Sequence, residues 1–271
     1  FLDDLARAMV ASVDGGAKKL ALVPDAVVEE ARQHLAFALV RAGKFLSTTS
    51  TRKVESAAVE YLNGSGGGAS TGKALVIFGR SGAGKTYLLS KIMAECLRSR
   101  AAGGAVVMRF LGTTTRSSNV HALLTSLCAQ LRRVYAKDDA VPSDFKELVA
   151  YFKRAVTEWP SPDQPLTLFI DSVDQLNDSN GGRRLDWLPV TGLPAYVRLV
   201  VSTLPDYREF QCLSILRAKL ADSAGSLDSH CVEVGTISEP DAVLQHLLRL
   251  QGRTITDAQL KHVLEAFEKR T

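Results

Sequence analysis

Between residues 74 and 234 the chain alternates short apolar runs with longer stretches in which apolar residues recur every three or four positions. Residues 74–78, 105–110, 166–171 and 197–203 are runs of the first kind, and each reads as a strand buried on both faces. Residues 230–234 read as a fifth. Helical spacing fills the gaps: residues 87–98, the stripe Val120, Leu123, Leu124, Leu127, Leu131 and Val134, then residues 144–159 and 207–220. Strands that alternate with helices predict a parallel sheet covered on both faces.

The flanks are patterned differently. Residues 1–22 are weakly patterned and broken at Asp14-Gly15-Gly16, whereas Val27, Val28, Ala31, Leu35, Ala38 and Leu39 fit one helical face within residues 25–43. A short helix over residues 52–62 runs into Asn63-Gly64-Ser65-Gly66-Gly67-Gly68-Ala69-Ser70, which reads as a flexible linker. The last segment is helical again, with Ser238-x-x-Asp241 and Thr256-x-x-Gln259 as expected capping boxes. The expected divisions are therefore a helical segment and linker over 1–70, an α/β core over 71–236, and a further helical region over 237–271. Because the chain starts at Phe1, it reads as a piece of a larger protein.

Composition narrows the class. With 46% hydrophobic and 23% charged residues among 271, the chain can bury a sizeable core. No apolar run approaches the ~20 residues of a membrane span. The net charge of +4 is mild, and the densest basic patch, residues 91–100 with Arg132 and Arg133, is interrupted by core-type residues. It reads as solvated helix surface rather than a nucleic-acid groove. Cys96, Cys128, Cys212 and Cys231 form no C-x-x-C pair and read as small buried thiols in a reducing, cytoplasmic compartment. His230-Cys231 alone cannot make a metal site.

Candidate chemistry sits where the first run ends. Gly79-Arg80-Ser81-Gly82-Ala83-Gly84-Lys85-Thr86 matches G-x-x-x-x-G-K-[ST] in full, between a strand and a helix. Its glycines let successive backbone N–H groups turn inward toward phosphate oxygens, and the following helix presents its positive end to the same oxygens. Lys85 can reach the β- and γ-phosphates, and the Thr86 hydroxyl can ligate magnesium. A glycine turn that binds nothing is the competing reading.

Asp171 ends the third strand, where a carboxylate can hold magnesium beside the phosphates. Asp174, three residues on, can polarise an attacking water, or else cap a turn. Ser202 and Thr203 close the fourth strand and can contact the γ-phosphate or the water, or serve only as β-favouring residues. Arg80 and Arg116 can touch phosphate but read more simply as surface arginines. The catalytic candidates are therefore Lys85, Asp171, Asp174 and Thr203, the nucleotide cradle is residues 79–86, and the metal candidates are Thr86 and Asp171.

These residues resemble the STAND class of signal-transduction ATPases with NACHT-type domains, in particular the nephrocystin-like, NACHT-and-WD-repeat and telomerase-associated-protein group. The likeness is carried by residues 78–86, Phe110-Leu111-Gly112 with Arg116-Ser117-Ser118, residues 168–176, Trp187-Leu188-Pro189 and Leu199-Val200-Val201-Ser202-Thr203. Glu30-Ala31-Arg32-Gln33-His34 and Gly252-Arg253-Thr254 extend it over most of the chain. The resemblance implies an α/β P-loop NTPase of the additional-strand type, sheet order 5-1-4-3-2, followed by a helical lid. It implies ATP/ADP and Mg2+ as ligands, with binding and hydrolysis switching the protein between closed and oligomeric states. Protein partners or self-association would act through flanking domains absent from this chain, and a cytoskeletal or ciliary association belongs to the same likeness.

Asp171 and Asp174 map onto the acidic positions of the family's D-G-h-D-E pattern. Ser172 stands at its glycine and Gln175 at its glutamate. An amide cannot accept a proton as a carboxylate would, so a hydrolysis-deficient nucleotide-holding scaffold is the alternative to an ATPase. A small-molecule kinase is disfavoured because no acceptor pocket is readable, and a GTPase because no N-K-x-D motif occurs.

Overall fold

The computed structural model describes residues 25–64, 72–99, 104–113, 116–208, 210–221 and 230–268. The Asp14-Gly15-Gly16 break and most of the Gly/Ser stretch lie outside the described residues. Two helices come first, α1 (Ala26–Ala42) and α2 (Thr49–Asn63). The alternating series follows: β1 (Leu75–Phe78), α3 (Lys85–Ser99), β2 (Ala105–Phe110), α4 (Val120–Val134), α5 (Phe145–Thr157), β3 (Leu166–Asp171), β4 (Val197–Thr203), α6 (Cys212–Leu220) and β5 (Cys231–Glu233). Helices α7 (Pro240–Leu250) and α8 (Asp257–Glu268) end the described chain.

The five strands form one parallel sheet in the order β2-β3-β4-β1-β5, the expected 5-1-4-3-2 read from the other edge. Alternation within the apolar runs splits the core in two. Val76 and Phe78 join Val107, Leu168, Ile170, Leu199 and Val201 against α4, α5 and α6. Leu75 and Ile77 join Val106, Met108, Phe169 and Val200 on the opposite face, under α1, α2 and α3. Leu35, Ala38, Val54 and Ala58 of the two N-terminal helices are buried there, so these helices cover one face of the sheet.

A charged cluster fastens α1 to β2. Arg109 of β2 is fully buried; its guanidinium donates to Gln130 and to Ser126 of α4, both at 2.8 Å, and stands 3.7 Å from the Glu30 carboxylate on α1. Ser126 donates to Glu30 in turn. The Phe110 backbone N–H donates to His34 Nδ1 at 3.2 Å. Burial alone would raise the Glu30 carboxyl, but contacts from His34, Arg109 and Ser126 hold it down at about 2.

Several helix starts differ from expectation. The helix expected over 207–220 begins at Cys212, because Tyr207 and Phe210 form an isolated bridge with Arg208 at φ 52° between them. The Asp206 carboxylate then accepts from the N–H groups of Leu213 and Ser214, a cap drawn from well before the helix. Nor does Ser238-x-x-Asp241 form a capping box. Pro240 occupies the first turn of α7, Glu239 is the N-cap residue, and Ser238 Oγ instead accepts from Ser50 N–H of α2 at 3.2 Å. The box at Thr256 and Gln259 does form, with Thr256 N–H donating to Gln259 Oε1 at 2.9 Å and Gln259 N–H to Thr256 Oγ1 at 3.3 Å. Helix α2 starts earlier than expected, from a Thr48–Thr51 capping box.

Candidate functional site

The phosphate-loop sequence lies between β1 and α3 at the C-terminal end of the sheet. At Gly79 a Cβ would stand 2.4 Å from the Val234 carbonyl oxygen, so only glycine lets the loop leave β1 beside β5. Gly82 and Gly84 have φ of +81° and +89°, conformations that L side chains rarely adopt. The Lys85 ammonium folds back over the loop, donating to the carbonyls of Gly79 at 2.6 Å and Arg80 at 2.9 Å. Burial lowers its pKa, while the charges of Asp174 and Asp171 work against that fall.

Asp171 is 2% exposed and held by two hydroxyl donors. The Thr86 hydroxyl donates to its Oδ2 at 2.8 Å, and the Ser202 hydroxyl donates to Oδ1. Ser202 Oγ also accepts the Ser172 N–H at 2.8 Å, so β4 fixes the end of β3. Burial raises the pKa of this carboxyl, and the hydroxyl donors and Lys85 partly offset it. Thr86 and Asp171 bring a hydroxyl and a carboxylate oxygen together, the hard oxygen donors that magnesium takes, so these residues fit that ion.

Asp174 follows on a single 3-10 turn, Val173–Gln175, which Ser172 opens at φ 61°. It is 6% exposed. Its Oδ1 accepts from the Leu204 N–H at 3.1 Å and its Oδ2 from the Gln175 side-chain amide at 2.7 Å. Thr203 pairs in register with Phe78 and is fully buried; its hydroxyl has no hydrogen-bond partner among the described residues. The Arg80 side chain is exposed at the loop.

A cavity of about 530 Å³ opens above the loop, within the range of small-molecule sites. Residues 81–86, Ser172, Asp174 and Gln175 line its floor, while Asp171 and Thr203 are buried and are not among the lining residues. Two of its walls come from outside the alternating series. Phe37 and Arg41 of α1 and Phe45 after it form one, and Ile237 with Val243 and Leu247 of α7 forms the other. Arg41 lies over the Phe37 ring, 3.2 Å from its centroid. Sequence reading assigned these walls no role. The i, i+4 pairs Phe37/Arg41 and Val243/Leu247 were the available signal, but such pairs ordinarily mark packing.

The loop, the hydroxyl and the two carboxylates meet at this cavity, and similarity to known proteins identifies the family. A family model described as the NACHT domain matches residues 73–249. Human NACHT and WD repeat domain-containing protein 2 is 31% identical over 204 residues, which cover 73% of this chain and 11% of that protein. Human NACHT domain- and WD repeat-containing protein 1 is 33% identical over 132 residues, covering 47% and 8%. The chain thus spans only a small part of these relatives' length. Solved structures are more distantly similar. A Walker-type ATPase of Pyrococcus abyssi is 12% identical, with 82% of this chain and 66% of that one covered and a TM-score of 0.45. Domain III of the Thermotoga maritima replication initiation protein DnaA is 14% identical, with 82% and 78% covered and a TM-score of 0.47. With a complete phosphate loop in the expected sheet and most of its length matched by the family model, the chain belongs to the NACHT domain family.

Proposed function

We propose that this domain is an ATP-binding and ATP-hydrolysing switch within a larger multidomain signalling protein. The observation that carries this reading is the composition of the cavity walls. One pocket is shared by the phosphate loop, by α1 and by α7, so a ligand filling it would bear on all three at once. In this reading residues 237–271 are the first part of a lid, and partners or further copies engage through flanking domains.

The residues divide the work. Loop N–H groups and Lys85 hold the phosphate chain. Thr86 and Asp171 would hold magnesium, which when bound neutralises charge on the β- and γ-oxygens. Asp174, at the cavity floor, orients a water and takes its proton. A ligand state that favours one seating of α7 over another shifts the arrangement of lid against core by the difference in its contacts with the two.

The test is magnesium-dependent phosphate release by the purified protein against a Lys85→Ala control, with the carried nucleotide identified by mass spectrometry. Release above the control, with ADP carried over, is expected. Tight ATP retention without release would favour the second reading, a nucleotide-holding scaffold, whose motivating observation is Gln175 at the glutamate position. Binding of GTP at least as tight as ATP would overturn the choice of base.

A further inference from the structure

We propose that Gln175 is a positioning residue whose amide holds Asp174 in place for proton transfer, and that a glutamate at this position would slow the reaction. This rests on the ATPase reading above.

The geometry is specific. A carboxylate accepts hydrogen bonds and does not donate them, so the Gln175 atom 2.7 Å from Asp174 Oδ2 is the amide nitrogen. With the Leu204 N–H on Oδ1, each carboxylate oxygen has one donor, and the group is tied to its own strand end and to the end of β4. A carboxylate offers about four acceptor sites. Two therefore stay available on a group that lines the cavity. In the step assigned to it, a water oxygen bonds to the γ-phosphorus, the bond from that phosphorus to the ADP oxygen breaks, and the water proton passes to Asp174.

Gly112, after β2, makes room for this arrangement. A Cβ there would stand 3.3 Å from Gln175 Cβ, and its φ of +75° favours glycine. The Gln175 stem thus lies against the Gly112 backbone, with its amide turned back to Asp174. Replacing the amide by a carboxylate of the same shape exchanges a donor for an acceptor. It sets a second negative charge beside Asp174, whose own charge already acts on Lys85. Gln175 therefore supplies what a glutamate cannot.

The experiment compares phosphate release by the wild-type protein, Lys85→Ala, Asp174→Asn, Gln175→Ala and Gln175→Glu, with KM and kcat for ATP separated. Losing one hydrogen bond to a charged group predicts that Gln175→Ala lowers kcat about 10- to 150-fold, with KM changed less than about twofold. Gln175→Glu falls at least as far, again in kcat more than in KM. A Gln175→Glu rate equal to or above wild type overturns the proposal, because a packing role or a displaced base would give that result. Wild-type turnover in Asp174→Asn, or kcat and KM moving together in Gln175→Ala, also overturns it. If wild type releases no more phosphate than Lys85→Ala, the ATPase reading falls and this proposal falls with it.

Discussion

Asp171 and Glu30 are both carboxylates with several donors, yet their surroundings move them in opposite directions. Asp171 is deeply buried and its pKa is raised, whereas Glu30 faces a buried guanidinium and is held at about 2. Glu30→Gln leaves Arg109 without its charge partner in the core and is expected to cost about 3–5 kcal/mol, read as a lower urea midpoint at pH 7. The sign with pH follows from the lowered Glu30 value. Its contribution is present above the ordinary carboxylate range and is lost as pH falls through the folded value. The gap between wild type and Glu30→Gln should therefore narrow from about pH 4.5 toward about pH 2. This difference cancels the contrary contribution of Asp171, which both proteins share. At the phosphate loop, Lys85→Ala removes the one charged donor of the cavity floor and is expected to weaken ATP binding at least about tenfold by calorimetric titration. Lys85, Thr86 and Asp171 were legible in the sequence because fixed spacing ties them to strand ends. The Gln175 contact to Asp174 was not, since a side chain's partner depends on a turn geometry that spacing does not specify.

Among elements, α7 is held lightly, as is α8 after it. It has no buried residue, and its connection to the rest includes a clasp in which both oxygens of Glu239 accept from the Thr49 N–H, at 3.2 and 3.0 Å, where α2 begins. That carboxylate does for α2 what a local cap would do, from 190 positions away. Glu239→Ala is expected to lower the melting temperature and to speed amide exchange in α7 more than in α3, measured by hydrogen–deuterium exchange. Saturating ATP and magnesium should slow exchange in α7 if the cavity binds nucleotide between the two. The strands were legible element by element because a strand buried on both faces must be apolar throughout. Helix starts were legible where the capping side chain is a near neighbour, as at Thr256. They were misread where the donors are satisfied from a distance, as Asp206 does for α6.

At the scale of the whole molecule, the family match starts at residue 73, but the core does not. Leu35, Ala38, Val54 and Ala58 complete the layer over Leu75, Ile77 and Phe169. Deleting residues 1–64 is expected to leave a protein that lacks a cooperative urea transition and binds a hydrophobic dye, because one sheet face would lose two of its three helices. The sheet order was legible from the phosphate loop and the resemblance it carries. That the first two helices belong to the same core was not, because an amphipathic stripe announces burial without saying against what.

The His34 contact has one more consequence. β2 is the outer strand of its side of the sheet, and an outer strand offers backbone groups on which a foreign strand can template. Near its end the Phe110 N–H is already taken by a ring nitrogen from α1, and Glu30 on the same helix faces Arg109 one position earlier. A second chain adding there would have to strip off α1 and uncover a buried ion pair. On this side the domain is guarded against growing into a continuous intermolecular sheet.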